Sequence, residues 1–286
     1  MTVLEVIQRS AEFLTRKGVE SPRLQVELLL AHVLEMPRLK LYLNFERSLT
    51  EAELGAMREL VKRRGAREPL QYLVGSTSFC GLELRVAPAV LIPRPETELL
   101  AERAWSFLAQ LDSRPATALD FGTGSGCLAI ALAARCPHAA ITAIDVSAAA
   151  FAVAGENAAR HGLGERIRFV LGDGFAALPA EARFHLIVAN PPYIPSTELA
   201  TLQPEVRDHE PRGALDGGAD GLDFIRRLAA EGARWLQPGG RLMLEFGDDQ
   251  AEPVVALFAK QGWGVEAVEN DLTSRPRILV ARLGSA

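Results

Sequence analysis

The second half of the chain alternates short apolar runs with segments of helical periodicity. The run ATALDF precedes GCLAIALAARC, AAITAID precedes SAAAFAVAGENAARH, and two more apolar runs read RIRFVLGD and FHLIVAN. This alternation predicts parallel strands joined by crossover helices, which defines the α/β class. The last two runs, WGVEAVEN and RILVARL, are so close in sequence that they must pair antiparallel. The pattern therefore predicts a mostly parallel sheet that ends in an antiparallel C-terminal hairpin.

The first part of the chain has a different pattern. From Val3 to about Arg64, apolar residues recur every three or four positions, and Thr50 followed by Glu53 indicates a capped helix start. Residues 72–92 change to short β-rich runs interrupted by glycine and proline, which predicts a β-hairpin linker. We therefore expect a small helical domain over residues 1–71, a linker over 72–92 and the α/β domain over 93–286.

Composition excludes several classes of protein. Hydrophobic residues make up 48% of the chain, and no apolar run approaches the roughly 20 residues that span a bilayer. The N-terminus lacks the pattern of a secretory signal, so we expect a cytoplasmic protein without membrane contact, and a monomer. The three cysteines and five histidines show no metal-ligand spacing, so no metal is expected.

Charge is distributed unevenly along the chain. The net charge is −5, but residues 1–80 carry 12 Lys/Arg against 10 Asp/Glu, whereas residues 81–286 carry 19 against 26. An acidic α/β half argues against direct binding of nucleic acid, whose partners usually carry a basic excess. A basic cluster in the front part either steers a partner or is a solvated helix face; it consists of Arg58, Lys62, Arg63, Arg64 and Arg67.

A glycine loop follows the first strand of the α/β half. The loop reads Asp120-Phe121-Gly122-Thr123-Gly124-Ser125-Gly126, with the spacing G-x-G-x-G instead of the G-x-G-x-x-G of dinucleotide-binding enzymes. Asp120 is poorly placed beside a phosphate but suits an ammonium or sulfonium ion. S-adenosyl-L-methionine carries both cations and no phosphate, so it is the cofactor that this loop indicates.

Acidic residues also follow the next two strands. Asp145 ends the second strand, where a carboxylate can accept both hydroxyl protons of a ribose. Asp173 and Gly174 follow the third strand, where a side-chain acceptor could take an adenine amino group, with Phe175 or the Gly174 backbone at the border of the ring. Alternatively, each of these acids only caps the helix that follows it.

The tetrad Asn190-Pro191-Pro192-Tyr193 directly follows the fourth strand. An amide or exocyclic amino nitrogen is a poor nucleophile because its lone pair is delocalised into the adjacent π system. The Asn190 side-chain oxygen and the Pro191 carbonyl can accept its two N–H groups and localise that lone pair, while Tyr193 offers a face for stacking. The tetrad alone does not distinguish an amide from an adenine, and a proline turn after a strand is the other interpretation.

Five segments together carry a resemblance to a known family. They are G-A-R-E-P-L-Q-Y at 65–72, F-C-G-L-E-L at 79–84, V-L-I-P-R-P-E-T-E at 90–98, the glycine loop at 120–126 and N-P-P-Y-I at 190–194; E-P-R-G-A-L-D-G-G at 210–218 also belongs to the pattern. The chain resembles the HemK/PrmC family, which are glutamine N5-methyltransferases of peptide chain release factors with the class I, Rossmann-like methyltransferase sheet.

The resemblance implies methylation of the glutamine in the Gly-Gly-Gln loop of class 1 release factors, which would be the protein partner. It implies catalytic roles for Asn190, Pro191 and Tyr193, with Pro192 as a further contact to the glutamine amide. The expected cofactor contacts are Gly122, Thr123, Gly124, Ser125, Gly126, Asp145, Asp173, Gly174 and Asn190. Relatives can carry a large aromatic residue in place of Gly174, so stacking on the adenine is expected from Phe175 or is missing.

Other interpretations stay open from the sequence. An adenine-N6 methyltransferase of nucleic acid would share the chemistry of the tetrad, and a non-catalytic scaffold would share the fold. Arg94 and Glu96 either close over the site or only begin a helix. The polar loop after the tetrad is expected to be a lid that the substrate orders; its charged residues are Glu205, Arg207, Asp208, His209, Glu210 and Arg212.

Overall fold

The fold was analysed in a computed structural model, which describes residues 1–111 and 115–284. Nine strands lie in this part of the chain: β1 Ser76–Phe79, β2 Leu82–Arg85, β3 Ala116–Phe121, β4 Ala139–Asp145, β5 Ile167–Leu171, β6 Phe184–Ala189, β7 Leu236–Glu245, β8 Trp263–Asn270 and β9 Pro276–Leu283.

Eleven α-helices lie in the same residues. They are α1 Val3–Arg16, α2 Pro22–Val33, α3 Arg38–Leu41, α4 Glu51–Gly65, α5 Leu70–Val74, α6 Pro95–Ala109, α7 Cys127–Arg135, α8 Ala148–Arg160, α9 Pro204–Arg207, α10 Asp223–Glu231 and α11 Ala251–Lys260. Short 3₁₀ turns connect several of them. Within the described part of the chain, no helix combines the length and apolar character that crossing a membrane requires.

A seven-stranded sheet organises the α/β part, in the order β5-β4-β3-β6-β7-β9-β8. Strands β3 to β7 pair in parallel, whereas β9 runs antiparallel to both β7 and β8. This order confirms the predicted class I methyltransferase sheet with its antiparallel C-terminal hairpin. The strand order reverses between β3 and β6, and in open α/β sheets ligands bind at such a switch point, outside the carboxyl ends of the strands.

The two central strands are buried because helices cover both faces of the sheet. Along β3 and β6, alternate residues enter two separate apolar clusters. Leu186 and Val188 face one cluster, while Ile187 and Ala189 face the other. Near-continuous apolar strands of this kind hold the carboxyl ends of β3 and β6 in fixed positions.

The first compact unit comprises Met1–Ser76 and, unexpectedly, the distant segment Gln203–His209. Its helices pack around an apolar cluster of their own. Thr2 and Thr50 cap α1 and α4, and each forms a capping box with the glutamate three residues later. The predicted capping role of Thr50 is thus confirmed. The second unit comprises Thr77–Leu202 and Glu210–Ala286 and contains both sheets apart from Ser76.

Candidate active site

A cavity of about 380 Å³ opens at the carboxyl ends of the parallel strands, entirely within the second unit. Its volume falls in the range typical of small-molecule sites. Most residues predicted for the site line this cavity: Gly122, Thr123, Gly124, Ser125, Asp145, Asp173, Gly174, Asn190, Pro191 and Pro192. Gly126 and Tyr193 are not among its lining residues.

The glycine loop forms one wall of the cavity. Gly122, Gly124 and Gly126 all have positive φ, at 77°, 55° and 83°, which residues with a Cβ rarely adopt. A Cβ on Gly122 or Gly124 would meet no atom within 4 Å, so their backbone borders open space. A Cβ on Gly126 would lie 3.2 Å from the Cβ of Ala154, so Gly126 allows close packing below the loop.

Asp120 is fully buried beneath the glycine loop. Its Oδ2 accepts hydrogen bonds from Thr123 Oγ1 at 2.6 Å and from the Ala129 backbone N–H at 3.0 Å. Its Oδ1 is also buried but has no hydrogen-bond partner among the described residues. Burial raises the pKa of Asp120 to about 7. A buried carboxylate oxygen without a donor is costly, and a cation in the adjacent cavity would offset that cost.

Asp145, the last residue of β4, binds the glycine loop through its side chain. Its Oδ2 accepts from the Gly124 N–H at 2.8 Å, and its Oδ1 accepts from the Ser147 N–H at 2.8 Å. A carboxylate has about four lone-pair sites, so two remain available for further donors. Asp145 lines the cavity, and the arrangement suits a ligand with two neighbouring hydroxyl groups.

Arg227 of α10 occupies the space beside Gly174. Its guanidinium binds the Asp173 carboxylate at 2.5 Å and the Asp173 carbonyl at 3.0 Å. A Cβ on Gly174 would lie only 2.9 Å from the guanidinium and 2.8 Å from the ring of Phe121. Arg227 also lines the cavity, although sequence analysis did not select it.

Of the two alternatives for the adenine ring, stacking by Phe175 or no stacking residue at this position, burial rules out the first. Phe175 is only 1% exposed and packs in the core, with ring centroids 4.8 Å from Phe121 and 5.6 Å from Trp235. It belongs to the 3₁₀ turn Gly174–Ala177, where strand alternation no longer predicts which way a side chain faces. The flat groups that do line the cavity on this side are Phe121, Phe224 and Arg227.

The tetrad follows β6 directly and carries two hydrogen-bond acceptors that receive no donor from the described part of the chain. Asn190 Nδ2 donates to Thr97 Oγ1 at 3.0 Å, so its Oδ1 remains to accept. In residues 1–111 and 115–284, no group donates to that Oδ1 or to the Pro191 carbonyl. Tyr193 is half-buried and packs against the apolar core, and its hydroxyl donates to Glu245 Oε1 at 3.0 Å.

Glu245 and Thr97 are site residues that sequence analysis missed. Glu245 ends β7 and is 1% exposed, and its Oε2 accepts from Thr97 Oγ1 at 2.7 Å. Burial raises the pKas of Glu245 and the Tyr193 hydroxyl. Glu245 could have been predicted by the pattern that indicates Asp120 and Asp145, which is an acidic residue at the end of an apolar strand. Thr97 belongs to the motif at 90–98, but the sequence pattern alone indicates no separate role for it.

The segments around the tetrad are held by further contacts. Arg94 precedes α6, as the helix-start interpretation predicts, and also donates to Glu210 Oε1 at 2.5 Å. Ile194 pairs with Asp216 in a parallel bridge, and Gln250 Nε2 donates to the Tyr193 carbonyl at 2.8 Å. The motifs at 90–98 and 210–218 are therefore joined to each other, and they contact Asn190 and the residue that follows the tetrad. No cluster of His, Cys, Asp or Glu suited to a metal is found among the described residues.

Comparisons with known proteins agree with this geometry. Two family models match the chain, the PrmC N-terminal domain over residues 5–75 and the methyltransferase small domain over residues 103–203. The release factor glutamine methyltransferase of Geobacter sulfurreducens is 45% identical over 283 residues, which cover 99% of this chain and 97% of that protein. The corresponding protein of Chlorobaculum tepidum is 45% identical over 275 residues, covering 94% and 93%.

A solved structure adds support for the fold. A 16S rRNA methyltransferase of T. thermophilus, in complex with AdoMet and guanosine, is 24% identical, with a TM-score of 0.51. The match covers 73% of this chain and 49% of that one. At this identity the likeness concerns the fold alone.

Proposed function

Because the chain belongs to the family of release factor glutamine methyltransferases, we propose that it methylates N5 of a glutamine in a release factor. The methyl donor is S-adenosyl-L-methionine, and the acceptor is the side-chain amide in the Gly-Gly-Gln loop of a class 1 peptide chain release factor. The single observation that carries the chemistry is the pair of free acceptors, Asn190 Oδ1 and the Pro191 carbonyl, beside the glycine-loop cavity.

The residues of the cavity fit this methyl donor. The bare backbone at Gly122 and Gly124 allows close approach, and the unpartnered Oδ1 of Asp120 suits a nearby cation. Asp145 keeps free lone pairs for ribose hydroxyls, and Asp173 and Gly174 border the rim together with Arg227. When bound, S-adenosyl-L-methionine supplies an electrophilic methyl group on a sulfonium centre.

The tetrad would prepare the acceptor nitrogen. Asn190 Oδ1 and the Pro191 carbonyl each accept one N–H of the glutamine amide, which fixes its plane and directs its lone pair into the cavity. Pro191 and Pro192 keep the backbone rigid, so little order has to be gained on binding. After methylation the nitrogen is far more acidic and loses a proton readily. No strong general base is therefore required, and the role of Tyr193 is to support the tetrad through Glu245.

The helical domain over residues 1–71 would bind the release factor. The match of residues 5–75 to the PrmC N-terminal domain supports this assignment. Leu39 and Leu43 are 72% and 85% exposed there, and apolar side chains presented to solvent suit a protein partner. We place the linker at 72–92 and the transferase domain at 93–286, and we propose that the enzyme acts in the cytoplasm as a monomer, without binding nucleic acid.

Mass spectrometry of a release factor incubated with the enzyme and methyl donor tests this proposal. The expected result is one added methyl on the loop glutamine, and none when that glutamine is replaced by alanine. Asn190→Ala is expected to reduce transfer by about 100-fold or more, because it removes an acceptor needed mainly in the transition state. DNA and RNA are offered in parallel. Methyl incorporation into adenine, with none into the release factor, would replace this function with the nucleic-acid alternative.

A further inference from the structure

A chain of three hydrogen bonds ends at one buried carboxylate beside the tetrad. Asn190 Nδ2 donates to Thr97 Oγ1, Thr97 Oγ1 donates to Glu245 Oε2, and Tyr193 OH donates to Glu245 Oε1. Ala189 of β6 pairs with Leu244 of β7. Asn190 and Glu245 are the next residues after this pair, one on each chain segment. The mechanism above assigns Glu245 no direct contact with substrate.

We propose that Glu245 is a positioning residue that fixes, through Thr97, which face of the Asn190 amide is presented to the substrate. The inference rests on the proposed function for the identity of the group that Asn190 binds. It assigns a task to the I-P-R-P-E-T-E motif as well, because Thr97 is the threonine of that motif.

The direction of the chain follows from what each group can donate. When Glu245 is ionised its carboxylate only accepts, so the Thr97 hydroxyl proton is then committed to Glu245. Thr97 Oγ1 then has only lone pairs left, and Asn190 must offer it the NH₂ end of its amide. The Oδ1 end is thereby reserved for the substrate. A reversed Asn190 would present an NH₂ group to the NH₂ group of glutamine, and two donors cannot bind each other.

The same carboxylate fixes the other end of the tetrad. Tyr193 is the last residue of the tetrad, and its hydroxyl proton is also directed at Glu245. Asn190 and Tyr193, the two residues that flank the proline pair, therefore depend on one buried acceptor. The arrangement holds both ends with a single residue that lies outside the cavity lining.

Single substitutions test this chain of hydrogen bonds by separating effects on kcat from effects on binding. Glu245→Gln keeps the size of the side chain but can donate to Thr97, which frees the Thr97 proton to reverse Asn190. We expect kcat to fall about 10- to 100-fold, as for other supporting hydrogen-bond partners, with the KM for the release factor and the Kd for S-adenosylhomocysteine changing less than about threefold. Thr97→Val should match this loss, and Thr97→Ser, which retains the hydroxyl, should restore activity.

Thr117→Val is the matched control. Thr117 lies near the start of β3, at the end of the sheet away from the cavity. Its hydroxyl donates to the Arg183 carbonyl at 3.2 Å, accepts from the His185 backbone N–H at 3.2 Å and lies 2.8 Å from His185 Nδ1. The control also deletes one threonine hydroxyl from the same unit, and kcat should stay within about threefold of the wild type.

A double substitution tests which way the hydrogen bonds between residues 190, 97 and 245 point. Asn190→Asp has no donor for Thr97 and should be at least as slow as Asn190→Ala. In the double variant Asn190→Asp with Glu245→Gln, the amide introduced by the second substitution donates to Thr97. Thr97 in turn donates to the new carboxylate, whose second oxygen can accept from the substrate. We expect the double variant to be about tenfold faster than Asn190→Asp alone.

A substrate-free measurement separates this inference from the proposed function. The chain has only four asparagines, Asn44, Asn157, Asn190 and Asn270, so the Asn190 side-chain NH₂ signal can be assigned by asparagine-selective ¹⁵N labelling. Hydrogen exchange of that NH₂ group should accelerate in Thr97→Val and Glu245→Gln but not in Thr117→Val. This exchange rate can be measured, and the inference tested, even if the enzyme methylates no release factor.

Three results would overturn the inference. The first is an unchanged kcat in Glu245→Gln, and the second is losses in Asn190→Asp and Glu245→Gln that simply multiply in the double variant. The third is a fall in kcat matched by an equal loss of S-adenosylhomocysteine affinity, which would indicate a general structural role. Should Thr97→Val fail to fold, the isosteric Glu245→Gln and the double variant still decide.

Discussion

At the scale of single residues, Asp120 combines complete burial with a carboxylate oxygen that has no hydrogen-bond donor among the described residues. Its pKa is raised to about 7, chiefly by burial, whereas the hydrogen bonds from Thr123 and Ala129 act in the opposite direction. Because the folded state then holds this proton more tightly than the unfolded state, stability falls as pH rises from about 4 to about 7. At 1.36 kcal/mol per pKa unit, the loss is on the order of 4 kcal/mol.

We expect Asp120→Asn to flatten this pH dependence. Urea unfolding followed at pH 5, 6, 7 and 8 should give a falling free energy of unfolding for the wild type and a smaller slope for the variant. Asp145→Asn serves as the comparison, because Asp145 also touches the glycine loop but lies at the cavity surface. Equal slopes for the wild type and Asp120→Asn would show that this carboxyl is not the group that titrates.

Arg227 offers a second test at the residue scale. A planar guanidinium can stack on a base, and Arg227 is held by Asp173 on the side of the cavity where Gly174 has no side chain. We therefore expect Arg227→Ala to weaken S-adenosylhomocysteine binding about tenfold, which corresponds to about 1.4 kcal/mol.

The neighbouring Arg226→Ala is the control for Arg227. Arg226 binds Asp220 and Asp223 and does not line the cavity, so its removal should leave the Kd unchanged. Isothermal titration of both variants gives the comparison. Equal affinities in the two variants would remove Arg227 from the site.

At the scale of elements, the segment Gln203–His209 is attached to the helical unit by charge. Glu205 of α9 accepts from Arg64 at 2.7 Å and from Arg67 at 2.7 and 2.6 Å. Burial raises the pKa of Glu205, but the hydrogen bonds from the two arginines lower it by more. The net result is a pKa of about 2. Two members of the predicted basic cluster thus bind a segment of the chain itself, and Arg64 is only 3% exposed.

Glu205→Gln should destabilise the helical unit by roughly 3 kcal/mol, because the buried Arg64 loses its counter-charge. The contribution of Glu205 is fully present above about pH 4.5 and is lost as pH falls towards 2. Hydrogen exchange of the amides in 203–209 measures the loss directly. Asp208→Asn, which removes an exposed pair with Arg207, should leave the exchange of these amides nearly unchanged. Equal effects of the two substitutions would contradict the anchoring role of Glu205.

The sequence predicts elements better than it predicts contacts between them. The strands, the antiparallel hairpin and the acids at strand ends follow from local periodicity, and Asn190, Asp145 and the glycine loop are brought together at one cavity because parallel strands end on one side of the sheet. Arg64 and Glu205 are 141 positions apart, and Thr97 and Glu245 are 148 apart. No local pattern encodes such pairs, since each depends on the packing of complete elements.

At the scale of the whole molecule, the chain forms two compact units whose sequences interleave. The chain leaves the second unit after Leu202, contributes seven residues to the first, and returns at Glu210. The cavity and the proposed catalytic tetrad belong wholly to the second unit. The acidic excess falls in residues 81–286, whereas residues 1–80 are slightly basic. We therefore expect ligand binding and partner binding to stabilise different parts of the chain.

Native-state hydrogen exchange with S-adenosylhomocysteine tests this separation. A ligand that binds only the folded second unit stabilises it by RT ln(1 + [L]/Kd), or about 2.7 kcal/mol at 100 times Kd. We expect the slowest amides of β3 and β6 to gain this amount, and those of α1 and α2 to gain nothing. Asn190→Ala should retain much of the gain, because Asp145 and the glycine loop remain. Equal protection of α1 and β3 would instead mean that both units unfold as one cooperative body, in which case the boundary near Ser76 has no thermodynamic meaning.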